Sequence, residues 1–254
     1  MLEQAAVSVA TRATRHSPTL QLSWARSTSE IREAQRLRYK VFVEELGARI
    51  NNPELGLDSD QYDQHCEHLL VRDADRGEVI GAYRLLPGPT AIKIGGFYAE
   101  QEFDLSRLRH QRAQTLELGR SCVHRDYRTG ATIARLWAGI ANYAMRGGYQ
   151  YVIGCASLSM ADGGHAAASI YRKIARQHLA PVEYRTYPRC ELPLAALERE
   201  VEVAPPALVK GYIRVGAYVC GAPAWDPDFN TADLFMLLPM ARMDMRYARH
   251  FMVK

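Results

Sequence analysis

A chain of 254 residues with 48% hydrophobic and 24% charged side chains has the make-up of a soluble globular protein, long enough for one large domain or two small ones. Its net charge of +4 is too weak to indicate nucleic acid as a partner, but it suits an acidic protein or an anionic membrane surface. Five scattered cysteines without a CxxC pair argue against a disulfide framework or a zinc ribbon, and no apolar run approaches the ~20 residues of a membrane helix.

Residues 1–19 lack the apolar core of a signal peptide and read as a flexible tail, leaving 20–254 as the expected folded domain. Leu20–Trp24 alternates as a strand. Ser27 offers an N-cap with Glu30 in the first turn, and Ile31, Ala34, Leu37, Val41 and Phe42 form a helical apolar stripe. Arg38 falls inside that stripe. It either snorkels from the edge or is a buried cation in need of a carboxylate. Carboxylates follow in the cluster Asp58, Asp60 and Asp63, ahead of a strand at His68–Arg72. The cluster lacks the spacing and glycine of an EF-hand loop. His65, Cys66 and His68 lack metal-ligand spacing, so no metal site is expected. Asp75-Arg-Gly77 turns the chain into a second, antiparallel strand, Val79–Pro87, which carries Arg84 among apolar residues.

Gly88–Arg112 is the least legible segment: a short strand at Ala91–Ile94, aromatics at Phe97, Tyr98 and Phe103, and a basic stretch with Arg107, Arg109 and Arg112. Thr115–Val123 then reads as a strand and His124–Gly130 as a turn. Ile133, Leu136, Trp137, Ile140 and Ala144 recur at helical spacing until Gly147-Gly148, and Tyr151 opens the next buried strand. A strand–turn–helix–strand unit sets a helix N-terminus beside a strand's carboxyl end, where backbone N–H groups can meet an anionic or carbonyl ligand. Glu117 and Arg120 stand on the strand before that turn. Cys122 is conceivable as a nucleophile, but a cysteine in a strand core is usually inert packing. Asp162 offers a cap for a helix at Ala166–Arg176, Leu192–Pro206 reads as linker or surface helix, and a helix at Ala207–Val215 precedes strands at Ala217–Cys220 and Asp233–Leu238. Arg242, Arg246 and Arg249 share one face of a terminal amphipathic helix, either an ordinary packed helix or a contact for anionic lipid or an acidic protein. The class is mixed α/β (α+β), with early and late antiparallel pairs around the central unit.

Four pieces occur in order: Arg38 with Phe42, Asp60 with Asp63, Arg84 on the hairpin, and Glu117 with Arg120. Together they resemble the N-acyltransferase branch of the GNAT superfamily, which includes the acyl-homoserine-lactone synthases, the N-acyl amino acid synthases and the ornithine N-acyltransferases of ornithine-lipid biosynthesis. Ala48 stands where the lactone synthases carry a tryptophan of their S-adenosylmethionine pocket. The segments GRSCVHRDYRTG, GCASL, GYIRVGAYVCGAPAWDPDFNTAD and RYARHF are similar to the ornithine N-acyltransferase ("haemolysin-like") group. The turn Arg128-Thr-Gly-Ala-Thr has one glycine and a β-branched threonine where common GNAT pyrophosphate loops read Arg/Gln-x-x-Gly-x-Gly/Ala, a departure that weakens the case for free coenzyme A and is consistent with acyl carrier protein.

The resemblance implies a GNAT-like, mostly antiparallel central sheet flanked by helices, no bound cofactor, and acyl-phosphopantetheine of acyl carrier protein as donor. The reaction it implies is acylation of the α-amine of ornithine to give lyso-ornithine lipid, in the cytoplasm and peripherally at the inner membrane through Arg242, Arg246 and Arg249. Glu117 is the expected base, acting with Arg120; backbone N–H groups at Cys122 and Val123 are expected to hold the oxyanion. Tyr171, in SIYRKI, resembles the tyrosine that protonates the leaving thiolate. Arg38, Phe42, Asp60, Asp63 and Arg84 form either a substrate-binding network or a structural clamp on the acidic loop. Arg107, Arg109 and Arg112 are candidates for carrier docking. An N-acyl amino acid synthase for tyrosine or another amino acid, a lactone synthase and a catalytically silent binding module remain the alternatives.

Overall fold

In the computed structural model, which describes residues 18–50 and 53–243, the hydrophobic alternation builds one large sheet. β1 (Leu20–Trp24), β2 (Glu67–Asp73) and β3 (Glu78–Pro87) form an antiparallel meander. Next comes β5 (Thr115–Val123), then β6 (Tyr151–Ser159) parallel to it. β10 (Thr231–Pro239) closes antiparallel on β6 and pairs in turn with β8 (Tyr218–Val219) and β9 (Ala224–Asp226). The sheet order is β1-β2-β3-β5-β6-β10-β8. A small second sheet pairs β4 (Phe103–Asp104) with β7 (Tyr187–Pro188).

Helices cover both faces because each strand pair buries side chains on two sides. α1 (Thr28–Arg38) is capped by Ser27, whose hydroxyl accepts from the Glu30 N–H, and continues into a wider turn, Tyr39–Glu45. Ala34, Leu37 and Val41 bury its apolar stripe against Leu70, Ala82 and Cys122. α3 (Gly130–Arg146) covers the other face, packing Leu136, Ile140 and Ala144 on Leu69, Val71, Leu85 and Leu116. α4 (His165–His178) and α5 (Ala207–Arg214) extend that layer over β6 and β10. Asp162 accepts from the Gly164 and Ala166 N–H groups and so starts α4. No helix of the described residues is long and apolar enough to cross a membrane.

The segment expected as a strand at Ala91–Ile94 is instead α2 (Gly88–Ile94). Pro89 in its first turn and Gly95 at its end, at φ +99°, are helix punctuation that outweighs the local β-branched residues. Leu192–Pro206 forms no helix beyond the single turn Leu194–Ala196; 198–206 is irregular chain leading to α5, while the part before it packs. Leu192 and Leu197 are buried against α4 and β10, and Arg172 holds the Leu194 and Leu197 carbonyls at 2.7 and 2.9 Å. Residues 1–17 of the expected tail and 244–254 of the terminal helix, including Arg246 and Arg249, lie outside the described residues. Arg242, in the turn Met240–Arg242, places its guanidinium 3.9 Å from the centre of the Tyr218 ring.

Candidate active site

β5 and β6 are hydrogen-bonded only from Thr115 to Glu117 against Tyr151 to Ile153, and beyond that point they part. Gly154 sets the point of divergence: a Cβ there would lie 2.4 Å from the Leu118 carbonyl oxygen, so only glycine lets the strands come together before separating. The gap opens towards the turn that leads into α3.

Glu117 points to the α1 side of the sheet at this fork. It is 4% exposed, and its two oxygens accept from the Tyr98 and Ala99 N–H groups at 2.8 Å each. Burial pushes its carboxyl up to about 7, against the pull of those two N–H groups. A small cavity lined by Cys66, Arg84, Leu86, Tyr98, Glu117 and Gly119 adjoins it.

Residues three apart on a regular strand face opposite sides, yet Arg120 joins Glu117. The cause is a bulge: Ala82 faces Cys122 and Arg84 faces Gly119, so two residues of β5 oppose Tyr83 alone. Arg120 takes up the extra length at φ +49°, a conformation rare for a side-chain-bearing residue. Its guanidinium is 5.0 Å from the Tyr98 ring centre and 4.8 Å from that of Phe229. Its ion pairs to Asp58 and Asp60 are 3.6 Å, beyond hydrogen-bond reach, and its Nε is buried without a hydrogen-bond partner.

The other two arginines are held by carboxylates at hydrogen-bond distance. Arg38, 1% exposed, donates from Nε to Asp58 at 2.9 Å and grips both Asp63 oxygens at 2.8 Å. Arg84 donates to Asp60 at 2.6 Å and to Asp63 at 3.0 Å. Gln35 completes the shell of Asp63 at 2.8 Å, and the two arginines hold that carboxyl well below the ordinary carboxylate range, against the opposing effect of burial. His68 meets the Asp63 carbonyl at 2.9 Å, and burial lowers its basicity. Phe42 packs edge-on to Phe229, 5.9 Å between ring centres, so it borders Arg120.

The remaining expected residues are dispersed. The His124 N–H donates to the Ile80 carbonyl; strand alternation then turns the Cys122 N–H towards β3 and the Val123 N–H towards the gap. The Cys122 thiol is buried and pushed up to about 12 by desolvation. Tyr171 packs into the α4 core, and the charges that act on it are those of Arg185 and Glu191. A different tyrosine pair comes to the fork: the Tyr83 and Tyr212 hydroxyls are 2.5 Å apart, with Tyr83 also bonded to Ser121 of β5. Sequence periodicity could not single these out, because tyrosines on buried faces read as core. Arg107, Arg109 and Arg112 sit in the turn Ser106–Gln114, at the end of β5 opposite the gap. Arg107 donates to the Val182 carbonyl at 2.7 Å, Arg112 pairs with Glu100, and Arg109 is exposed.

On the α3 side of the fork lies an apolar cavity that opens to solvent. Leu118, Trp137, Ala141, Gly154, Tyr212 and Met236 are among its walls. Carboxylates and arginines thus occupy one side of the gap and a hydrocarbon-lined cavity the other.

Residues 37–138 match the family model of the acetyltransferase (GNAT) domain. An L-ornithine N(alpha)-acyltransferase of Rhodobacter capsulatus is 37% identical over 243 residues, covering 89% of this chain and 92% of that protein. The enzyme of the same name from Brucella abortus is 34% identical over 249 residues, covering 92% and 89%. Two solved structures share the fold. FeeM, an N-acyl amino acid synthase from uncultured soil microbes, has a TM-score of 0.54 at 12% identity, over 89% of this chain and 92% of its own. The AHL synthase LasI has a TM-score of 0.51 at 13% identity, over 87% and 90%.

Proposed function

We propose that this acyltransferase, which belongs to the L-ornithine N(alpha)-acyltransferase family of the GNAT superfamily, moves a fatty acyl group from acyl carrier protein to the α-amine of ornithine, giving a lyso-ornithine lipid. The observation that carries this reading is the fork itself: a buried carboxylate and an arginine with a free donor on one side, an apolar cavity on the other, and unpaired strand edges between them. A thioester lying in the gap would send its chain into the cavity and meet the amine at Glu117.

In this reading Arg120 takes the ornithine carboxylate, since its Nε has no hydrogen-bond partner and its links to Asp58 and Asp60 are loose. Glu117 accepts the proton of the α-amine as nitrogen bonds the thioester carbon. Its carboxyl near 7 and an amine near 8 are matched for that transfer. The oxyanion draws on the Val123 N–H. As the C–S bond breaks, the thiolate takes a proton from the Tyr83–Tyr212 hydroxyl pair at the fork, and because burial disfavours a tyrosinate the pair regains a proton from solvent at once. Arg38, Arg84, Asp60 and Asp63 clamp the acidic loop to α1 and β3 and thereby fix the rings against which Arg120 rests. The N-terminus of α3 has no side-chain cap, so its N–H groups are free for the phosphate of the pantetheine arm.

The test is a mass-spectrometric assay of the purified chain with 3-hydroxyacyl carrier protein, or the matching coenzyme A thioester, and a pool of free amino acids. The expected product is acyl-ornithine from the carrier-bound donor. An adduct of another amino acid rejects the acceptor, preference for the coenzyme A thioester rejects the donor, and no adduct at all favours a silent module. The cavity gives a separate expectation. Ala141→Phe fills its wall and should reduce the preference for a palmitoyl-length chain over an octanoyl one about tenfold, read by competition in the same assay. An unchanged preference would place the chain elsewhere.

A further inference from the structure

Three carboxylates outside the Asp58–Asp63 loop converge on the Glu117 side of the sheet. Glu102 lies just before β4, Asp226 ends β9 and Asp233 lies in β10; their oxygens come within 4.8 Å of one another. Register explains the meeting. Asp233 faces Ser157 and Phe235 faces Cys155, so Asp233 shares a sheet face with Cys155 and Glu117. Asp233 is 5% exposed, and its Oδ1, like Oε2 of Glu102, is buried without a hydrogen-bond partner. Such oxygens cost stability unless a cation or donor reaches them. Asp233 bonds to Ser157 and to Glu102 itself, but among the described residues no cation pairs with either carboxyl: Arg120 acts on Glu102 from a distance and forms no ion pair with it.

The cluster also adjoins the reacting groups. The Cys155 thiol hydrogen-bonds Glu102 and feels the charges of Glu102, Asp233 and Glu117 together. Arg120, the proposed carboxylate holder, lies between Tyr98 and Phe229, and Tyr98 in turn feels Glu102. Asp226 accepts from the Phe229 N–H at 3.1 Å, so the acidic cluster and Arg120 meet at one residue. Asp63, whose oxygens are all taken by Arg38, Arg84 and Gln35, has none left for an ammonium.

We propose that Glu102, Asp226 and Asp233 bind the side-chain ammonium of the acceptor and so select a diamino acid over a neutral one. This rests on the acyltransferase reading above. Three acidic groups in one place repel, and desolvation together with their mutual charge raises the proton affinity of Glu102 and Asp233. An entering ammonium supplies donors and positive charge at once, and the protons it displaces leave for solvent.

The measurement is kcat and KM for ornithine and for norvaline, which has the same carbon skeleton without the side-chain amine, using acyl carrier protein as donor. Asp233→Asn and Glu102→Gln are isosteric; Asp226→Asn, half-buried, is the variant least able to disturb folding. Thermal midpoints verify the fold. The wild type should prefer ornithine, and each variant should lose about 10²-fold of the ornithine-over-norvaline ratio in kcat/KM, mainly through the ornithine KM. Folded variants that keep the full preference overturn the inference while wild-type acyl-ornithine leaves the acyltransferase reading standing. A wild type that makes no acyl-ornithine overturns both. Magnesium or calcium raising the wild-type midpoint but not that of Asp233→Asn, with the preference unmoved, would mark a metal site and overturn it too.

Discussion

Glu117→Gln should lower kcat/KM for the amine acceptor about 10³-fold, within the range that a positioned general base contributes. The amide keeps the size of the carboxylate but cannot accept a proton. The pH profile separates this from a packing effect. Burial pushes the Glu117 carboxyl up to about 7, and the ionised form is the base, so wild-type kcat/KM should rise as pH passes through 7. That limb should be missing from the variant. Stability moves the other way. The native carboxyl holds its proton more tightly than the usual 4.5 of the unfolded chain, so this group's contribution falls as pH rises from 4.5 to about 7, and the Gln protein should not show that slope. A folded Glu117→Gln enzyme with undiminished turnover would falsify the base assignment.

Arg38→Ala should be the most damaging single change to the fold. It takes from buried Asp58 its one close ion pair among the described residues and leaves Asp63 to Arg84 and Gln35, and loss of one partner from such a pair costs about 3–5 kcal/mol. For a domain of this size that corresponds to a thermal midpoint lower by roughly 10 °C. Arg38→Lys should recover part of it, because an ammonium keeps the charge but not the fork that spans Asp63. The acid dependence has a definite sign. Asp63 is held below its ordinary value of 3.8, so its stabilisation is complete above that pH and is lost as pH falls below it. The gap between wild type and Arg38→Ala should therefore narrow in melts taken below pH 4. A gap constant with pH would mean that packing of the arginine stem, rather than its charge, is what the loop needs.

The sequence by itself determined the elements that rest on short-range periodicity: β1 to β3, the β5–α3–β6 unit with its Gly147-Gly148 stop, and the helices capped by Ser27 and Asp162. Spacing also picked out Arg38, Arg84, Glu117 and Arg120, because a charge inside an apolar run is visible without a partner. Ala91–Ile94, strand-like in its β-branched residues, is helical because Pro89 and Gly95 bound it. Tertiary structure alone decided what each charge faces. The bulge at Gly119–Ser121 rotates Arg120 onto the face of Glu117, against the alternation a regular strand would impose. Pairing of β10 with β6 and β9 brought Asp233 and Asp226 together and set them against Glu102, more than a hundred residues earlier in the chain, and the parting of β5 from β6 put Tyr83 and Tyr212 beside the gap. Periodicity reports which face of an element is apolar. Which buried oxygen lacks a partner depends on contacts between strands distant in the chain, and no local pattern encodes those.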